Sequence, residues 1–187
     1  MKKVIAIAAL LAVGSAASAS AFTFDQNKMT YGAMLFDSMP QGDMGDAVSS
    51  SLGLGVSGEY LLKDNIKVGL EMGYGFSYDA KGAVKAVDSN YNVKVFNIGP
   101  TAKYFITRDK ITYYGLVGLG LYHWSSAKLG NLVASDSGTD FGINLGGGAA
   151  YELNKNWTGG LDLRYHSVGG DLDSNFVNVG LKLDYKF

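Results

Sequence analysis

Ser174-Asn-Phe-Val-Asn-Val-Gly-Leu-Lys-Leu-Asp-Tyr-Lys-Phe187 closes the chain. One parity reads Val177, Val179, Leu181, Leu183, Tyr185 and Phe187. The other reads Phe176, Asn178, Gly180, Lys182, Asp184 and Lys186. A period of two is that of a β-strand with one apolar and one polar face. Strands of soluble sheets run to about 5–6 residues, whereas a strand tilted across a bilayer needs roughly 9–11, apolar towards lipid and polar towards a lumen. The length and regularity of this stretch predict the second kind.

The other end of the chain supports that reading. Met1-Lys2-Lys3 is followed by the apolar run Val4 to Val13 and by Ala19-Ser20-Ala21. A basic start, a short apolar core and small residues at a cleavage site predict a signal peptide over residues 1–21, cut after Ala21. The apolar run is too short to anchor the chain, because a spanning helix needs about 20 residues. The 187-residue chain fits one domain. It has no cysteine, so neither a disulfide nor a lipidated cysteine holds it. The net charge of −1 falls to −3 without Lys2 and Lys3, which gives no electrostatic reason to expect nucleic acid. No later stretch is long and apolar enough for a transmembrane helix. The 26 glycines argue against a helix bundle, since each interior Gly costs a helix about 1 kcal/mol.

Eight alternating stretches can be marked, at 28–36, 50–62, 66–79, 91–106, 111–125, 139–153, 157–168 and 174–187. The links between them alternate long and short. Lys63 to Asn65, Thr107 to Lys110 and Asn154 to Asn156 are turn-like, whereas Ser38 to Ser49, Ala80 to Asn90, Ser126 to Gly138 and Gly169 to Asp173 are mostly longer and carry Gly, Asp and Ser. An even number of strands with one short-turn end and one long-loop end is the layout of an outer-membrane barrel. A soluble barrel with an apolar interior would also alternate. Three features favour the membrane version: Gly beside long charges on the polar parity, a chain that stops inside its last strand, and aromatics at both ends of the apolar parity. Tyr60, Tyr104, Tyr113, Tyr151, Trp157 and Tyr185 form one girdle, and Phe76, Tyr78, Phe96, Phe141 and Tyr165 the other. The first stretch is ambiguous, with apolar residues on both parities. Pro100 falls inside the fourth, where a closed barrel has no free edge to accept it, and this predicts a bulge.

Asn97-Ile98-Gly99-Pro100 with Lys103-Tyr104-Phe105, the run Gly115 to Gly120 (GLVGLG) and the terminal Tyr185-Lys186-Phe187 resemble segments of the OmpX-like and OmpA-like small outer-membrane barrels. The resemblance covers residues 22–187 in pattern and implies an all-β, eight-stranded antiparallel up-and-down transmembrane β-barrel in the cell outer membrane. It also implies contact with outer-membrane lipid and lipopolysaccharide, and recognition by the barrel assembly machinery through the last strand ending at Phe187. A monomer is expected, with no cofactor.

The polar parities gather a lumenal charge network of Glu59, Lys67, Glu71, Lys103, Glu152, Asp162, Arg164, Lys182 and Asp184, with Lys186 on the same parity. An eight-stranded barrel leaves room inside for little beyond side chains. Unpaired charges there are costly, so the network should pair and fill the lumen. Arg164-Tyr165-His166-Ser167 is the one catalytic-looking cluster. Some barrels of this kind are lipid A deacylases with a serine nucleophile and a histidine base. Here His166 and Ser167 are adjacent in a strand and point to opposite faces, and neither Asp162 nor Asp171 is fixed as an orienting carboxylate. With only His123 and His166 in the chain, no metal spacing appears. His123 and Trp124 read as interfacial. The acidic loop residues Asp37, Asp43, Asp46, Asp88, Asp136, Asp171 and Asp173 read as solvated, with no EF-hand spacing. The expected role is therefore non-enzymatic, structural or surface-interactive. An OmpW-like narrow channel for small apolar molecules would need an apolar lumen, and a lipid A deacylase would need a shared His–Ser face.

Overall fold

The computed structural model describes residues 25–127 and 136–187. The signal-peptide assignment to residues 1–21 and most of the third long link lie outside them. Eight strands close into one barrel in sequence order: β1 (Met29–Gln41), β2 (Ser51–Lys63), β3 (Ile66–Asp79), β4 (Asn92–Arg108), β5 (Ile111–Ser126), β6 (Asp136–Glu152), β7 (Trp157–Val168) and β8 (Ser174–Lys186). Every neighbouring pair is antiparallel, and β8 returns to pair with β1 from Thr30↔Lys186 to Gln41↔Asn175. A closed sheet leaves no edge, so the backbone groups of the wall find partners within it.

The alternation read from the sequence places the faces. Leu145, Leu161, Leu163 and Leu181 lie on the outside with most of their surface exposed, beside Val117, Leu119 and Leu121. Tyr104, Tyr113, Tyr151 and Trp157 stand exposed near the short-turn end, and Phe76, Phe141 and Tyr165 near the long-loop end. The two girdles differ from expectation at two residues. Tyr60, in register with Met29, is buried. Tyr78 points into the lumen, because β3 carries an extra residue between Gly75↔Val95 and Tyr78↔Val93. One inserted residue reverses the parity beyond it.

The predicted bulge at Pro100 is absent. Ile98↔Leu121 and Thr101↔Gly118 keep one register, and the β4–β5 ladder simply skips Gly99 and Pro100. The strands crowd at this point: a Cβ on Gly99 would overlap the Leu119 carbonyl oxygen. The first strand runs on to Gln41 rather than ending at Phe36. Pro40 lies where β1 pairs only with β8, since pairing with β2 stops at Ser38↔Ser51, a position that tolerates a missing N–H.

Two long links contain short helices, Gly42–Ala47 and Gly82–Val87. Each opens on a glycine of positive φ, +65° at Gly42 and +57° at Gly82, where a side chain would be strained. The links are stitched together across the barrel mouth. Val48 bridges Ala80, the Ser49 N–H donates to the Asp79 carbonyl at 2.8 Å, and the Lys81 N–H donates to the Ala47 carbonyl at 2.9 Å.

Candidate functional site

The barrel interior has two layers. In the short-turn half, eight charged side chains meet. Glu59 on β2 accepts from Lys103 of β4 at 2.5 Å and from Lys182 of β8 at 2.9 Å, and Lys67 of β3 lies 3.7 Å from its other oxygen. Lys182 is also 3.3 Å from Asp184. Lys67 donates to Thr30 at 3.0 Å. Nearer the middle, Arg164 of β7 makes a two-pronged contact with Glu71 at 2.5 and 2.8 Å, and its Nε donates to Asp162 at 2.6 Å. The Tyr114 hydroxyl donates to the second Asp162 oxygen at 2.7 Å, and the Lys103 ammonium lies 4.5 Å from the Tyr114 ring centre. Four acids and four bases thus sit together. Each is held by a strand whose inward parity puts it there, and each meets a partner that offsets the cost of leaving water.

The long-loop half is apolar and aromatic. Tyr78, Val93, Val95, Tyr122, Val168 and Phe176 form one buried cluster, and Val48 enters it from the first long link. Met44, Tyr91 and Leu172, from three different long links, pack over it. Burying each large apolar side chain contributes on the order of 1.5–3 kcal/mol. Between the layers His166 is buried with both ring nitrogens engaged: Tyr122 at 2.8 Å from Nδ1 and Asn178 at 3.1 Å from Nε2. The Tyr78 hydroxyl donates to Ser38 at 2.7 Å. The cavity at this level measures about 20 Å³ and is bordered by Phe36, Tyr78, Tyr122, His166 and Asn178 among others. That is room for about one water molecule.

Most of the charged residues singled out by parity are brought together: Glu59, Lys67, Glu71, Lys103, Asp162, Arg164, Lys182 and Asp184. Two are not. Glu152 lies exposed where β6 ends at the short-turn rim and joins none of these ion pairs, and Lys186 is likewise exposed. Both sit at strand ends, where the parity no longer points into an enclosed space. His166 faces inward and is buried, whereas Ser167 lies on the opposite parity of β7, so the two do not meet. His123 is exposed on the outside and bonds Thr139 at 3.0 Å, but Trp124 faces inward and donates to Asp140 at 2.8 Å. Asp140 also accepts from the Asp171 and Leu172 N–H groups, which ties down the last long link. Among the described residues no group of three or more His, Cys, Asp or Glu could hold a metal ion. The aromatic layer was missed in the sequence, although its signal was present: Phe176, Val93 and Val95 fall on inward parities.

A closed antiparallel barrel with an apolar outside and a charged inside defines the class as a transmembrane β-barrel. Among the described residues no helix is long and apolar enough to cross a membrane. The chain belongs to the outer membrane protein beta-barrel domain family, whose model matches residues 6–187, and it is an integral protein of the outer membrane. Three solved structures share the fold. Neisserial surface protein A aligns with a TM-score of 0.68 at 17% identity, over 86% of this chain and 97% of its own. A major outer membrane protein from Thermus thermophilus gives 0.58 at 15%, over 85% and 99%. The N-terminal β-barrel domain of Pseudomonas aeruginosa OprF gives 0.56 at 16%, over 84% and 97%. No curated protein matches the chain in sequence.

Proposed function

We propose that this protein is a non-enzymatic structural barrel of the outer membrane, closed to solutes, which turns its long loops outward for contact with the cell's surroundings. The observation that carries the reading is the lumen. A charged layer is stacked on an aromatic one, three long links pack over the second, and the cavity between them holds about 20 Å³. A general porin needs a continuous water path, and the packing favours a sealed tube. It also weighs against a narrow route for apolar molecules, because such a solute would have to displace the Arg164–Glu71–Asp162 pairs. The separation of His166 from Ser167, with both imidazole nitrogens occupied, supports a role without acyl hydrolysis.

In this reading the chain works as a monomer, touches membrane lipid and lipopolysaccharide along its apolar wall, and is delivered by the barrel assembly machinery through the strand ending at Phe187. The name of Neisserial surface protein A is consistent with a surface role for the fold. Planar-bilayer recording of the refolded protein tests the closed lumen. The expected trace is silent or shows only brief small openings, and Arg164→Ala should increase them. A stable, large conductance in the unmutated protein, indifferent to Arg164→Ala, would refute the proposal.

A further inference from the structure

Barrel closure poses a problem of register. A slip of β8 along β1 by one residue would turn the apolar face of β8 inward, and the bilayer forbids it. A slip by two keeps every face correct, so lipid offers no penalty. Something inside the barrel has to tell the two registers apart.

The interior holds such a device. Lys182 is the register partner of Met34, yet its ammonium bonds Glu59, which lies in the row of Thr30. To get there its side chain runs over Gly32: a Cβ on Gly32 would lie 2.9 Å from Lys182 Cε. The same Cβ would overlap both Asp184 Oδ1 and Ser57 Oγ, the side chains that flank Gly32 from β8 and β2. Groups of β8 thus reach across β1 towards β2, and at Gly32 they occupy the space that a side chain on β1 would fill. The inward neighbours of Gly32 on β1 are Thr30 and Met34, and both have side chains.

We infer that Gly32, Lys182, Asp184, Ser57 and Glu59 form a clasp that sets the register of barrel closure. β1 passes beneath the clasp like a strap under a buckle, and Gly32 is the one inward position there that fits. If β8 slips so that Gly32 faces Lys182, Asp184 comes opposite Thr30, in the row of Glu59, and two acids flank one threonine. If it slips the other way, Gly32 faces Lys186, and Lys182 moves opposite Phe36 into the aromatic layer. The second register takes Lys182 out of reach of Glu59, and the first sets Asp184 in the row of the acid that Lys182 serves.

The chain lacks cysteine, so introduced pairs report register cleanly. Ala33 and Leu183 are outward partners in the native closure, at a separation a disulfide can bridge. Cysteines at 33 and 181, or at 33 and 185, would bridge only in the two slipped registers. The full chain carrying each pair would be assembled in the cell envelope, oxidised and run on a gel. With no other change the 33–183 bridge alone should form. Gly32→Ala pushes the clasp aside, and Lys182→Met removes its charge at similar length. Either should raise the slipped bridges several-fold over background. Gly58→Ala is the control, since a Cβ there meets nothing nearer than Tyr31 at 3.9 Å; it should leave them at background. Slipped bridges at background in both Gly32→Ala and Lys182→Met, or raised equally by Gly58→Ala, would overturn the inference. Should Gly32→Ala fail to assemble, Lys182→Met decides alone.

Discussion

Arg164 shows how much one side chain can carry in this lumen. It is 4% exposed and satisfies two carboxylates from different strands, Glu71 and Asp162. Arg164→Ala would leave both acids buried without their cation, and the expected loss is about 3–5 kcal/mol. Converting all three residues to neutral partners of similar size, Arg164→Met with Glu71→Gln and Asp162→Asn, should recover most of that loss, because the cost lies in the orphaned charge. Equilibrium unfolding in lipid vesicles compares the two variants; equal losses would show that the arginine acts through packing alone. Arg164 could be read from the sequence because strand parity is unbroken along β7. Tyr78 could not. Its inward position depends on one extra residue in β3, and nothing in Gly75-Phe76-Ser77-Tyr78 announces a bulge. The result is a hydroxyl bonded to Ser38 inside the barrel, where the sequence suggests a ring in the membrane interface.

Among the strands, β8 has the most demanding position, since it pairs with β7 and closes onto β1. Its last ring, Phe187, packs edge-on against Tyr31 of β1 at 5.7 Å between ring centres and against Tyr185 at 5.1 Å, and Tyr185 meets Trp157 of β7 at 5.0 Å. Such ring pairs contribute about 0.5–1.5 kcal/mol each beyond buried area. Phe187→Ala should therefore cost the folded barrel about 1–3 kcal/mol while lowering its outer-membrane level far more steeply, if the proposed recognition of the last strand holds. Unfolding midpoint and membrane level measured side by side separate the two effects; a normal membrane level in the variant would sink the recognition argument. Element by element, the sequence was most legible where lipid meets a polar lumen, as in β6, β7 and β8. It was least legible in β1, because the upper lumen is itself apolar: Phe36 points inward and Leu35 outward, so hydropathy gives both faces the same sign. The helices of the long links were hidden for another reason. Each is only six residues long and held by contacts to the opposite link rather than by its own periodicity.

At the scale of the molecule, the alternation of long and short links assigns the two ends. Single cysteines at Asp43, Lys85 or Asp171 should react with an impermeant reagent on intact cells, and those at Asn65, Asp109 or Lys155 should react only after the outer membrane is breached. The opposite pattern would invert the proposed orientation. The lumenal network then has a consequence for the media in which the barrel can live. Ion pairs on an open protein surface weaken as dissolved electrolyte rises, because mobile ions crowd around each charge; pairs walled away from water are screened much less. Here most of the paired ions lie inside the wall of strands, with Asp162, Arg164, Glu59, Lys103 and Lys182 all nearly inaccessible. The unfolding midpoint in uncharged lipid should accordingly stay almost level from about 10 mM to 1 M sodium chloride, a range over which the screening length shrinks from about 30 Å to 3 Å. If the proposed closure of the lumen holds, the barrel carries its own ionic medium inside it, and passage from fresh water to brine should leave that medium unchanged.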